Sequence, residues 1–225
     1  MDNILDIQLF LNYCKDGNIS EIKKYDLFDV DLLIIQKGFN IAITNNHLDL
    51  VKYMYTKSNL DIHDNDDKAF RIASYHGYFD IIKFLISKGN ININVFNDIC
   101  FVQTCANGHL KIAKYLHENN CINIHTNDEA PFRYACFYGH LDVAKWLYSL
   151  DEINISAKNN FAFKYALENK HFDLAVWLIV IGVEPTEEQL KIIDEYRKES
   201  NCLALFVVIM FIYCLFVCYY YLFIY

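Results

Sequence analysis

The sequence predicts an all-α solenoid of helix–turn–helix–finger units, followed by one apolar helix. Three observations carry that prediction. First, a phrase returns at a fixed spacing: "NNHLDLVKYMY" at 45–55, "HGYFDIIKFLI" at 76–86, "NGHLKIAKYLH" at 107–117, "YGHLDVAKWLY" at 138–148 and "NKHFDLAVWLI" at 169–179, each 31 residues after the last. A fixed period of this size marks stacked units that cannot bury their apolar faces singly. Second, a phenylalanine stands seven residues before the second letter of every copy, at Phe39, Phe70, Phe101, Phe132 and Phe163. Third, Cys202 to Tyr225 holds no charged residue.

Within a unit, "EAPFRYACFY" at 129–138 places Phe132, Ala135 and Cys136 on one helical face. Asp128 or Glu129 can open that helix, with Pro131 tolerated in its first turn. Gly139 ends it by taking a left-handed conformation. The second helix is expected from Leu141 to about Leu150, burying Leu141, Ala144 and Leu147 and showing Asp142 and Lys145 to water. "INIS" at 153–156, like "ININ" at 91–94 and "INIH" at 122–125, alternates as a short extended finger would. An N-terminal copy at Gly17, with Phe10, lies only 29 residues ahead of the next, which makes a shorter sixth unit. The units run over 1–184. In the last copy and the first full copy respectively, the expected pattern weakens to Lys170 and Asn46 at the left-handed position. Thr186 and Gln189 then form a capping box opening a helix at 187–200, whose Leu190, Ile193 and Tyr196 keep helical spacing and cap the stack.

The pattern resembles the ankyrin repeat. That family's Thr-Pro-Leu-His opening followed by Ala is matched by Ala130-Pro131-Phe132-Arg133 with Ala135, and its Gly-His-Leu second-helix start by "GHLDVA" at 139–144 and "GHLKIA" at 108–113. The period is shorter than the usual repeat of about 33 residues, with the deletion placed near the finger. Lys68-Ala69-Phe70-Arg71 and Ile99-Cys100-Phe101-Val102 lack the proline. The Asn-, Ile- and Tyr-rich style is similar to ankyrin proteins of large DNA viruses that infect amoebae.

The resemblance implies a protein-binding scaffold without turnover, whose concave face is built from finger tips and the last residues of the first helices. By register the helix positions are Tyr75, His76, Ala106, Asn107, Phe137, Tyr138, Glu168 and Asn169. The tips are Asp64, Asp66, Val95, Phe96, Thr126 and Asp128. Tyr75, Phe96, Phe137 and Tyr138 make an aromatic patch with acids at the Asp64 and Asp66 end, suited to an unidentified protein of host or viral origin. The competing reading has these rings covering neighbouring repeats. For His47, His109, His140 and His171 the resemblance implies rings that hydrogen-bond turn backbone; Tyr78 replaces one of them.

Other chemistry finds little footing. A net charge of −8 without any basic run argues against nucleic acid. The eight cysteines hold no C-x-x-C pair or zinc spacing, so no metal or other cofactor is expected. Cys100, Cys105, Cys121 and Cys136 are expected as reduced packing residues. His63 and His125, two fingers apart, are expected in solvent, and Asp49–Lys52, Asp80–Lys83 and Asp142–Lys145 as weak surface pairs. There is no phosphate loop and no Gly-x-Ser-x-Gly, and the chain is read as not an enzyme. The column Tyr53, Phe84, Tyr115, Trp146 and Trp177 is expected in the core beside a seam of Met54, Leu85, Leu116, Leu147 and Leu178.

"MDNILDIQLF" lacks the basic start of a signal peptide. The 24 residues 202–225 would span about 36 Å as a helix, enough for a bilayer core of about 30 Å. Arg197 and Lys198 precede them and Tyr219, Tyr220, Tyr221 and Tyr225 stand at the far side, which predicts a membrane anchor with the repeats in the cytosol. Cys202, beside the near interface, is a candidate for acylation in that setting. Two alternatives compete: a run produced at a decayed gene end, and a soluble adaptor or substrate-recruiting subunit whose apolar tail is buried in a partner.

Overall fold

Six phenylalanines organise the molecule: Phe10, Phe39, Phe70, Phe101, Phe132 and Phe163 are all essentially inaccessible to solvent. Each contributes roughly 1.5–3 kcal/mol through burial, and the five from Phe39 to Phe163 each sit one helical turn before a small residue. Ala42, Ala73, Ala135 and Ala166 fill that second column, and all are buried. Thr104 takes the remaining place, and its hydroxyl is satisfied by donating to the Cys100 carbonyl at 2.7 Å.

A computed structural model of the chain describes residues 6–89, 91, 95–119, 122–150 and 152–200. The chain divides into two compact units, Met1–Thr126 and Asn127–Tyr225. In the first, α1 (Ile7–Asp16), α3 (Leu32–Thr44), α5 (Asp64–His76) and α7 (Val95–Ala106) are the first helices of successive repeats. The second helices are α2 (Ile19–Ile22), α4 (Leu48–Lys57), α6 (Phe79–Ser87) and α8 (Leu110–Asn119). α1, α3, α5 and α7 pack in chain order, and α2, α4 and α6 pack likewise behind them. Helix α9 (Thr126–Phe137) leads into the second unit, followed by α10 (Leu141–Tyr148), α11 (Ala157–Glu168), α12 (Phe172–Val180) and α13 (Glu187–Ser200). Among the described residues every regular element is helical.

The second helices turn a slightly different face inward than the sequence suggests. Val143, Ala144 and Leu147 are the buried residues of α10, while Leu141 is only half-buried. The seam Met54, Leu85, Leu116, Leu147 and Leu178 is fully buried. The aromatic column one residue earlier is not core: Tyr53, Phe84, Tyr115, Trp146 and Trp177 are half-buried. At about 100° per residue, a face centred between positions 143, 144 and 147 leaves position 146 on its flank.

The fingers also differ. Instead of extended strands, each described one is an Asx turn: Asp61, Asn123 and Asn154 accept the backbone N–H two residues ahead, at 2.8, 3.0 and 3.1 Å. A left-handed turn of three residues follows, at 65–67, 127–129 and 158–160. Asp128 and Glu129 therefore do not cap a helix; the right-handed helix starts after them. Left-handed non-glycine residues are unfavourable, though Asn and Asp resist least. Arg71 and Arg133 brace these turns, with Nη2 donating to the Asn65 and Asn127 carbonyls at 2.8 Å each. Of "ININ", residues 92–94 lie outside the described residues.

The capping box forms in both directions: the Thr186 N–H donates to Gln189 Oε1 at 2.9 Å and the Gln189 N–H to Thr186 Oγ1 at 3.3 Å. α13 covers the last repeat through buried Ile193 and through Tyr196, which stacks on Phe172 at 3.9 Å, leaving Leu190 exposed. Among the described residues no helix is long and apolar enough to cross a membrane. The segment 202–225 lies outside them.

Candidate functional site

The histidine column resolves into fasteners between repeats. His47 Nε2 stands 2.7 Å from the Lys15 carbonyl and His109 Nε2 3.0 Å from the Tyr75 carbonyl. A carbonyl only accepts, so Nε2 carries the proton in both rings. Tyr78, in the histidine place, donates its hydroxyl to the Thr44 carbonyl at 3.0 Å. Every acceptor lies two residues before the left-handed residue of the preceding repeat: Gly17, Asn46 and Gly77. Glycine is required where histidine is the partner. A Cβ on Gly17 or Gly77 would lie 2.5 Å from the ring of His47 or His109, and one on Gly139 would strike His171. The bonded backbone belongs to the previous repeat, a distinction the linear sequence does not show.

With those residues consumed by scaffold, the exposed ends of the first helices remain. In Met1–Thr126, Tyr75 and His76 are exposed and meet edge to face at 5.1 Å, and His76 stacks on Tyr78 at 5.4 Å. They border a shallow groove of about 270 Å³ with Lys68, Arg71 and Gln103. Asp64 is half-buried and Asp66 exposed, both at the left-handed turn opening α5. His63 is not simply solvated: its Nδ1 lies 2.7 Å from the buried Asp67 carboxylate. The Phe96 side chain lies outside the described residues.

In Asn127–Tyr225 the rings gather more densely. Phe137 lies 4.8 Å from Tyr138 and 5.3 Å from Tyr165, Phe161 lies 4.3 Å from Tyr165, and Tyr134 lies 6.0 Å from Phe161. The Arg133 guanidinium sits 4.9 Å over Phe161. Tyr134 and Tyr138 are exposed. Sequence reasoning found Phe137 and Tyr138 but missed Tyr134 and Tyr165, one turn before the ends of α9 and α11, and Phe161, two turns before the end of α11. The signal was present: Gln103 and Ile72 occupy the Tyr134 register in other repeats, so these rings are not part of the repeating core.

Several expected contact residues are engaged within the fold. Asp128 pairs with Lys158 at 2.6 Å, and that ammonium holds its carboxyl below the usual carboxylate range. Asn107 and Asn169 donate to the Tyr75 and Phe137 carbonyls at 3.2 and 3.0 Å. Ion pairs among the described residues include Lys24–Glu21, Lys158–Asp128 and Lys164–Glu168, none of which is one of the expected Asp–Lys pairs of the second helices.

The remaining reactive groups are shielded. Cys14, Cys100, Cys105 and Cys136 are buried free thiols. Burial pushes Cys14 and Cys100 up to about 12, and Cys105 and Cys136 upward likewise, so none supplies a thiolate near neutral pH. Cys121 lies outside the described residues. Among the described residues no three His, Cys, Asp or Glu side chains are grouped to hold a metal ion. What the first-helix ends present among the described residues is therefore ring faces and phenolic hydroxyls, with the Arg133 guanidinium buried beneath the rings of the second unit.

The family model for ankyrin repeats in three copies matches residues 14–97 and again residues 102–189, well over half of the chain. Among curated proteins, none matches this sequence at a significant level.

Proposed function

We propose, from the premise that this chain belongs to the ankyrin-repeat family, that it is a non-catalytic scaffold recognising another protein through the exposed rings of its first helices. The observation that carries this is the cluster of Tyr134, Phe137, Tyr138, Phe161 and Tyr165. Packed rings bring large contact area at little cost in side-chain entropy, which is why aromatics and arginine dominate the energetics of interfaces. The neighbouring charges neutralise each other, Asp128 with Lys158 and Lys164 with Glu168, so the contact favours an apolar or aromatic surface on the partner.

The test substitutes the two exposed rings, Tyr134→Ala with Tyr138→Ala, in the full chain. Proximity labelling should lose its principal partners while the circular dichroism of the protein stays unchanged. An unaltered set of labelled proteins would refute this assignment.

The segment 202–225 supports a further element: a membrane tether holding the repeats on the cytosolic side. It is uncharged, long enough to cross a bilayer, and preceded by Arg197 and Lys198. Carbonate extraction of the full chain checks it. Full release into the soluble fraction would favour the second reading, a soluble adaptor or substrate-recruiting subunit whose apolar segment is buried in a partner. A viral source and a host partner rest on the Asn-, Ile- and Tyr-rich composition of the repeats alone.

A further inference from the structure

The connection between the first and second repeats lacks the left-handed three-residue turn of the later ones described at 65–67, 127–129 and 158–160. α2 stops after four residues, and 23–31 lead to α3 through two aspartate turns. Asp26 Oδ1 accepts the Phe28 N–H at 3.1 Å and Asp31 Oδ1 the Leu33 N–H at 2.8 Å. The apolar side chains beside these turns face water: Phe28 is 62% exposed, Leu33 80% and Leu32 about half, and Ile7, at the start of α1, is also about half exposed. Single exposed apolar residues need no explanation, but several beside one concavity mark a site of association; here Ile7 lines the concavity, and Phe28, Leu32 and Leu33 are sequence neighbours of its lining residues Asp29, Asp31 and Ile34. A groove of about 400 Å³ lies between the first turns of α1 and α3 and this connection, with Ile7, Val30, Ile34 and Tyr25 as its apolar lining.

The polar lining has one sign. Asp26, Asp29 and Asp31 line the groove, and the single lysine there, Lys24, is already paired with Glu21. An occupant must therefore bring apolar side chains together with uncompensated positive charge. A second copy of this chain would bring the same three aspartates into like-charge contact, and the segment 202–225 carries no charge to meet them. An amphipathic helix satisfies both demands, with its aliphatic stripe in the groove and its lysines or arginines over the acidic rim. We propose that the groove between α1, α3 and the 23–31 connection docks a basic amphipathic helix of a partner protein.

This site is separate from the ring cluster of α9 and α11, and its test is independent of that reading. The full chain, reconstituted in phosphatidylcholine nanodiscs with empty nanodiscs as blank, is titrated against a labelled Leu/Lys helical peptide of about five turns. Fluorescence anisotropy should report saturable binding that weakens with added salt. Asp29→Lys and Ile7→Asp, both at residues lining the groove, should each weaken it by at least about tenfold. Both side chains are exposed and neither caps a helix, so circular dichroism should be unchanged. Tyr134→Ala with Tyr138→Ala should leave the peptide affinity as it was. Three results would overturn the proposal. One is equal binding of a sequence-scrambled or a Leu/Glu peptide. Another is no response to either substitution. The last is a self-association in sedimentation, or a masking relieved by ending the chain at Asn201, that accounts for occupancy of the groove.

Discussion

Gly77→Ala is expected to destabilise the repeats by about 2–3 kcal/mol, from two separable causes. Gly77 sits at φ +79, where an L side chain costs about 1–2 kcal/mol. The new Cβ would also lie 2.5 Å from the His109 ring, so the ring must leave. Leaving breaks its 3.0 Å bond to the Tyr75 carbonyl, worth about 1 kcal/mol. The two causes are distinguished by repeating the substitution in a His109→Ala background, where only the backbone cost of about 1–2 kcal/mol remains. Urea unfolding followed by circular dichroism on the four forms gives the coupling as a double-mutant cycle. If Gly77→Ala costs the same in both backgrounds, the histidine does not pack on the glycine and the inter-repeat fastener is refuted. The same logic explains Asn46. Its partner is Tyr78, whose longer side chain reaches the Thr44 carbonyl with its hydroxyl, and a side chain is accommodated at φ +61.

Lys170, at φ +63, is the converse case: Lys170→Gly should stabilise by about 0.5–1 kcal/mol in the same assay, and a loss of stability would contradict the strain. Asp98 is buried, and desolvation raises its carboxyl above the ordinary value despite a hydrogen bond with Thr126. The folded state then favours the protonated acid, so the penalty of ionising it is fully present at neutral pH and fades as pH falls into the carboxylate range. Asp98→Asn should accordingly gain stability at about pH 7 and lose that advantage by about pH 4; an equal gain at both would rule out ionisation as the cause. Cys105 and Cys136 should resist a thiol reagent in the native protein and react on unfolding, read by mass spectrometry of the labelled peptides. Native labelling as fast as in urea would contradict their burial.

The linear sequence by itself determined the repeat, the phenylalanine column, the buried leucine seam, the left-handed positions at Asn46 and Lys170, and the Thr186–Gln189 box. These depend on interactions within a few residues, or on a helical period that repeats 31 residues apart, and both are written directly into spacing. Only the tertiary structure decided where the side chains of one repeat meet the next. Whether Trp146 lies in the core or on its flank depends on tens of degrees of helix rotation. Whether His109 bonds its own turn or the carbonyl of Tyr75 depends on the few ångströms between stacked helices. Tyr134, Phe161 and Tyr165 became a cluster for the same reason, because residues about one repeat apart in sequence are brought side by side by packing. The groove at 23–31 escaped notice because it arises where the period fails, and periodicity carries no information about the geometry of its own interruption.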